Sequence, residues 1–207
     1  MHFDNIETNH KYLSDILFII REGIRQKKEK LHRNKREGLN TQLLAETFNI
    51  IGTTNKQVKT WIGVQKEHER NNGLGREDIY FHLNDDNHTR IFYMEAKRLP
   101  KYKTKNEEEY VFGTGVEGKK SGGIQRYKIL VHGNLNSNYN GMVAYVETQT
   151  IDDWLLLVNN KLKDKYPTDT ALTPINYDNE YTSLHKFENY EDKTFTMHHF
   201  WIDLQKE

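Results

Sequence analysis

Apolar residues at Leu13, Ile16, Leu17, Ile20 and Ile24 recur at the spacing of one helical face, which predicts a long amphipathic helix over residues 8 to 32. A second helix follows, with Asn40 or Thr41 as its cap, Leu43, Leu44, Phe48 and Ile51 as its stripe, and Gly52 as its stop. The texture then turns to strand. Trp61 to Gln65 is short and β-prone, DIYFHL at 78–83 and TRIFYMEAK at 89–97 are stronger, and the polar NDDN at 84–87 joins those two as a hairpin. Residues 100–123, with Pro100, the acidic triplet 107–109 and glycines at 113, 115, 118, 122 and 123, read as a loop. Beyond it Ile124, Tyr127, Leu130 and Val131 mark a helical face, GMVAYVE at 141–147 a strand buried on both faces, and Asp152 to Lys163 another helix. Thr182 to Phe187 and Phe195 to Leu204, around a polar turn at Glu191 to Lys193, predict a closing antiparallel hairpin. The order α, α, β, β, β, loop, α, β, α, β, β describes an α/β chain, a mixed α+β sheet flanked by helices.

Composition narrows the picture. A chain of 207 residues with three prolines fits one domain, and a mean hydropathy of −0.91 makes its core lean, built on 12 tyrosines, nine phenylalanines and three tryptophans. Trp61, Trp154 and Trp201 are all expected in that core. With no cysteine, any metal must be held by oxygen or imidazole, which favours a hard cation. The apolar run Ile16 to Ile20 is too short to span a bilayer and lacks the flanks of a signal peptide, so a cytoplasmic protein without membrane partners is expected. Lys plus Arg balances Asp plus Glu at 30 each, so the net charge gives no sign of nucleic-acid binding. Distribution is more informative: RQKKEKLHRNKR at 25–36 carries seven cations against one acid, which suits either a phosphate-binding surface or a solvated helix face.

The chemistry lies at the end of the predicted hairpin. Alternation along IFYMEAK puts Ile91, Tyr93, Glu95 and Lys97 on one face. A turn centred on 84–87 pairs Leu83 with His88 and Asp78 with Tyr93, leaving Asp78 diagonal to Glu95 at roughly 7–8 Å; a slip of one residue would turn Asp78 to the other face. Two carboxylates beside a lysine suit phosphodiester cleavage: the acids take Mg²⁺, with Mn²⁺ as a substitute, and the lysine orients a nucleophilic water and offsets phosphorane charge. Other Glu-x-Lys triplets, at 117–119 and 191–193, lack the strand context.

Asp78 within REDIYFHL, followed by Glu95-Ala96-Lys97, resembles the motif of the PD-(D/E)XK, restriction-endonuclease-like nucleases, over about residues 37 to 148. Glu77 stands where the motif has proline. The resemblance implies an αβββαβ core at 37–148, preceded by an N-terminal helix and basic segment (1–36) and followed by a helix and β-hairpin (149–207). It implies metal ligation by Asp78, Glu95 and the Ala96 carbonyl, catalysis by Lys97, and a further carboxylate from the preceding helix, Glu46 or alternatively Glu37. Gln125 and Arg126, in GGIQRY, are candidates for phosphate contact, as are Lys119 and Lys120 in the glycine-rich loop. The implied activity is Mg²⁺-dependent hydrolysis of DNA, in prokaryotic or phage defence or restriction. The alternatives are a catalytically inactive nucleic-acid-binding module and a structural subunit, with the long N-terminal helix and the C-terminal hairpin as a homodimer or partner surface of a defence system. His198 and His199 are expected on opposite strand faces, a poor geometry for zinc, with His185 on the partner strand as a third candidate.

Overall fold

The computed structural model describes residues 8–33, 37–69, 76–99, 109–115 and 118–205. Helix α1 (Thr8–Lys27) runs into a short 3₁₀ turn (Lys28–Lys30), and α2 is Glu37–Thr54. Then come β1 (Ile62–Glu69), β2 (Arg76–Leu83), β3 (Arg90–Leu99), α3 (Gly123–Lys128), β4 (Tyr139–Val146), α4 (Ile151–Lys165), β5 (Thr173–Pro174), β6 (Glu180–Phe187) and β7 (Tyr190–Asp203). Among the described residues seven strands form one sheet, in the order β1-β2-β3-β4-β7-β6-β5. β3, β4 and β7 are mutually parallel at its centre, and the remaining pairings are antiparallel. The expected mixed sheet with flanking helices is therefore present. Among the described residues, no helix is long and apolar enough to cross a membrane.

Two cores lie on the two faces of the sheet. On one, Ile16, Ile19 and Ile20 of α1 and Leu44, Phe48 and Ile51 of α2 pack on Phe81, Phe92, Met94, Ala96 and Val143. The helices cross at Gly23, where a Cβ would stand 2.4 Å from the Phe48 ring. On the other face Ile124 and Tyr127 of α3 and Trp154, Val158 and Leu162 of α4 cover Tyr93, Met142, Ala144 and Trp201. Burying such side chains contributes roughly 1.5–3 kcal/mol each, which lets a polar chain hold a large sheet. Arg21 reaches from α1 across the sheet end to β6, meeting both oxygens of buried Glu180 at 2.7 Å.

Several boundaries differ from the sequence expectation. Helix α2 begins before Asn40 and Thr41, so neither is its cap: Asn40 instead brackets the backbone N–H and C=O of His32, and the Thr41 hydroxyl meets that of Tyr145 at 3.2 Å. The helix also continues past Gly52, whose missing side chain makes room for the Ile62 carbonyl. The last turn falls at 188–189, and 191–193 lie inside β7. Helix α3 stops at Lys128, with Leu130 at φ 60°, so Val131 is outside it. Trp154 and Trp201 are core residues, but Trp61 is 42 % exposed beside His82 at the sheet edge.

A directed chain of hydrogen bonds runs through the second core. Asp169 is an ionised acceptor, because burial, which raises its pKa, is outweighed by His185 and Lys128. Burial lowers the pKa of His185 against the pull of Asp169, and lowers that of His199 well below the usual value, so both imidazoles are neutral. The His185 Nδ1–H then donates to Asp169 (2.8 Å), which leaves His185 Nε2 to accept from the Ser183 hydroxyl (2.6 Å). Ser183 accepts from His199 Nε2–H (2.7 Å), His199 Nδ1 accepts from Tyr110 O–H (2.8 Å), and Tyr110 accepts from the Trp201 indole (2.9 Å). Lys128 closes the far end on Asp169 at 2.7 Å, tying α3 to the sheet.

Candidate active site at the β2–β3 end

The hairpin register sets which side chains meet. Leu83 N–H bonds Thr89 C=O, so the turn is one residue longer than expected, with His88 at φ 46°. A bulge follows: Phe81 pairs with Phe92 but His82 with Arg90, leaving Ile91 as the extra residue of β3. Ile91 accordingly joins the α1/α2 core instead of sharing a face with Tyr93. The two extra residues shift the register by two in all and keep every later side chain on its expected face. Ile79 pairs with Met94, so Asp78 stands opposite Glu95, not Tyr93, and the two carboxylates are direct cross-strand neighbours.

Asp78 ends the ladder with its side chain, as Oδ2 accepts the Ala96 backbone N–H at 2.7 Å. A strand residue directs its N–H and C=O to the same side, so the Ala96 carbonyl also faces β2, beside Asp78. Glu95 is 2 % exposed. Its Oε1 accepts from Lys97 Nζ at 2.7 Å and Arg126 at 3.2 Å, while His132 Nε2 lies 3.3 Å from Oε2 without the alignment of a hydrogen bond. Burial alone would raise the Glu95 pKa, but Lys97, His132 and Arg126 outweigh it and hold it at about 2. The carboxylate is thus ionised at neutral pH, and Oε2 is buried without a hydrogen-bond partner.

Helix α3 supplies Arg126 from above. Gln125 beside it is buried and accepts the Gly113 N–H at 3.1 Å, which places it as a strut for Gly113, away from the exposed surface. Lys119 and Lys120 are exposed on a small loop closed by the Thr114–Lys120 bridge. Glu46 stays apart: α2 covers the opposite sheet face, and its carboxylate accepts from Gln42 at 2.9 Å near Lys66. Glu37 opens α2, and its side chain lies outside the described residues, as do Glu107, Glu117 and residues 34–36 of the basic run.

His132 is the site residue that sequence reasoning missed. It is fully buried in the turn after α3, held by its backbone N–H on Arg126 C=O, and Gly133 follows with φ 65°. A histidine before a left-handed glycine is a faint signal that the short helix is ending beside the sheet. His198 and His199 do point to opposite faces, and Ser183 separates His185 from His199. Among the described residues no group of three His, Asp or Glu forms a metal site. Ser183, His185 and Asp169 have the order of a hydrolase triad, but they are buried and Ser183 Oγ is occupied by His199, so no substrate reaches it.

Compared with known proteins, the chain matches no family model, no curated protein and no solved structure. The site therefore rests on its own geometry.

Proposed function

We propose that the chain is a metal-dependent nuclease of the PD-(D/E)XK type that hydrolyses phosphodiester bonds in DNA, with restriction or defence against foreign DNA as its setting. The observation that carries the reading is the pairing of Asp78 with a buried, ionised Glu95 that Lys97, Arg126 and His132 surround. Asp78, Glu95 and the Ala96 carbonyl are all oxygen donors, and the Oε2 of Glu95, buried beside His132 without a hydrogen bond, fits a hard divalent cation such as Mg²⁺ or Mn²⁺. Bound there, the ion would supply Lewis-acid polarisation of the phosphate and acidify a water.

The chain's own groups have distinct tasks. Lys97 is 16 % exposed, so its ammonium can hold a water or a phosphate oxygen while remaining next to Glu95. Arg126, 27 % exposed, is placed to neutralise phosphate charge from the α3 side. His132 is fully enclosed and positions Glu95 without reaching solvent. The Asp78 bond to Ala96 fixes the gap where β2 and β3 part.

The test is cleavage of plasmid and single-stranded substrates with Mg²⁺ or Mn²⁺. Wild type is expected to cut and to stop with EDTA, while Asp78→Ala and Lys97→Ala lose on the order of 100-fold or more. Variants that cut as wild type does would move the active site elsewhere. Binding without cutting, weakened by salt, would make the chain a DNA-binding module.

A further inference from the structure

A cleft of about 620 Å³ opens on the same sheet face as Glu95, toward the β2–β3 turn. Tyr80 and Tyr93 line its floor, and His88, Arg90, Asn134 and Asn136 its rim. The path of the chain sets it next to the proposed active site along β3. Tyr93 precedes Glu95 by two residues on one face of β3, roughly 6.6 Å along the strand. The 132–134 turn runs over that strand so that His132 sits on Glu95 and the Asn134 amide donates to the Tyr93 hydroxyl at 3.0 Å. Gly133 makes this double seating feasible, because its φ is 65° and a Cβ would stand 3.0 Å from Asn140 Oδ1.

The lining has the chemistry of base recognition. The exposed Asn136 amide offers a donor and an acceptor together, which a base edge requires, and the Asn134 amide beside it is oriented by Tyr93 and by the Asn136 N–H. The Arg90 guanidinium, 4.7 Å over the Tyr80 ring, and the exposed His88 imidazole are planar groups on which a base can stack. Among the described residues no carboxylate lines the cleft, so nothing there repels the sugar–phosphate chain that would lead from it to Glu95. Its volume falls in the range of small-ligand sites.

We propose that this cleft takes an unpaired nucleobase of the strand held at Glu95, so that the preferred substrate is single-stranded or locally unstacked DNA. The proposal rests on the nuclease reading above. A base bound in this way contributes a stacking and hydrogen-bonding increment that a bare sugar–phosphate strand lacks, roughly 5- to 150-fold in affinity.

The experiment measures binding by fluorescence anisotropy in Mg²⁺, using the full chain carrying Lys97→Ala to suppress turnover. The probes are a 12-nucleotide single strand, the same length of duplex, and an abasic strand of equal charge. The single strand is expected to bind at least about 10-fold tighter than the other two. Adding Asn134→Ala or, separately, the surface change Asn136→Ala should cut that preference to about 3-fold or less, with Asn136→Ala leaving abasic affinity unchanged and thermal unfolding confirming that each variant is folded. Equal affinity for base-bearing and abasic strands, or a preference untouched by both variants, overturns the cleft assignment and leaves the nuclease reading intact. Competition by a free nucleoside monophosphate at the same concentration as the strand overturns the strand-bound assignment in favour of a small nucleotide. Failure of every strand to bind at low salt overturns the nuclease reading itself.

Discussion

Glu95 is a carboxylate kept charged inside a protein, a state that is stable only while its cations stay in place. Its pKa falls from 4.5 to about 2 on folding, so its contribution to stability is complete above pH 4.5 and is lost as pH drops through about 2. That contribution is up to about 3 kcal/mol. Urea unfolding of wild type and Glu95→Gln from pH 6 to pH 2 should give a stability gap that is constant above 4.5 and narrows below it; parallel curves would show that the cations do not hold the charge. The shared face of Glu95 and Lys97 was legible in the sequence because strand alternation is local, whereas Asp78 reaches that face through a register that differs by two from the expected one. His132 was not, since its role depends on where a six-residue helix ends and how the following turn folds back over β3. Gln125 misled for a related reason: its spacing on the helix is polar, but tertiary contact with Gly113 turns it inward.

Elements were easier to place than their ends. Hydrophobic periodicity located α1, α2, α4 and the principal strands, because each buries one stripe or face. The register of β2 on β3 depended on two residues that no pattern marks, His88 in the turn and Ile91 in the bulge. Each alone would have put Asp78 on the wrong face, and together they cancel. The order of strands in the sheet was not legible either, since β7 enters between β4 and β6 by a long-range parallel pairing. Helix α4 shows local chemistry setting an end: the Thr150 side chain accepts from Asp153 N–H, and Asp153 reaches back to Thr150 N–H. Thr150→Ala should lower unfolding free energy by about 1 kcal/mol in urea titration, and a change near zero would mean that packing of Trp154 alone fixes this helix.

At the scale of the whole molecule, the hydrogen-bond chain from Trp201 to Asp169 unites the helical residues 109–111, β7, β6 and the base of α3. Ser183→Ala leaves a buried acceptor on His185 and a buried donor on His199, and should cost about 2–4 kcal/mol by thermal or urea unfolding. A loss below 1 kcal/mol would mean that the chain re-forms around the gap. Its histidines also set an earlier acid limit than Glu95. They are neutral when folded and take protons when unfolded, so their share of stability is complete above about pH 6.5 and declines below it. Every link in this chain has a single allowed orientation, because the two ends differ: a negative acceptor at one, an indole that only donates at the other. The protein interior therefore has a built-in polarity, like a row of compass needles aligned by one magnet, and the orientation that Asp169 sets passes through four side chains to the Trp201 indole.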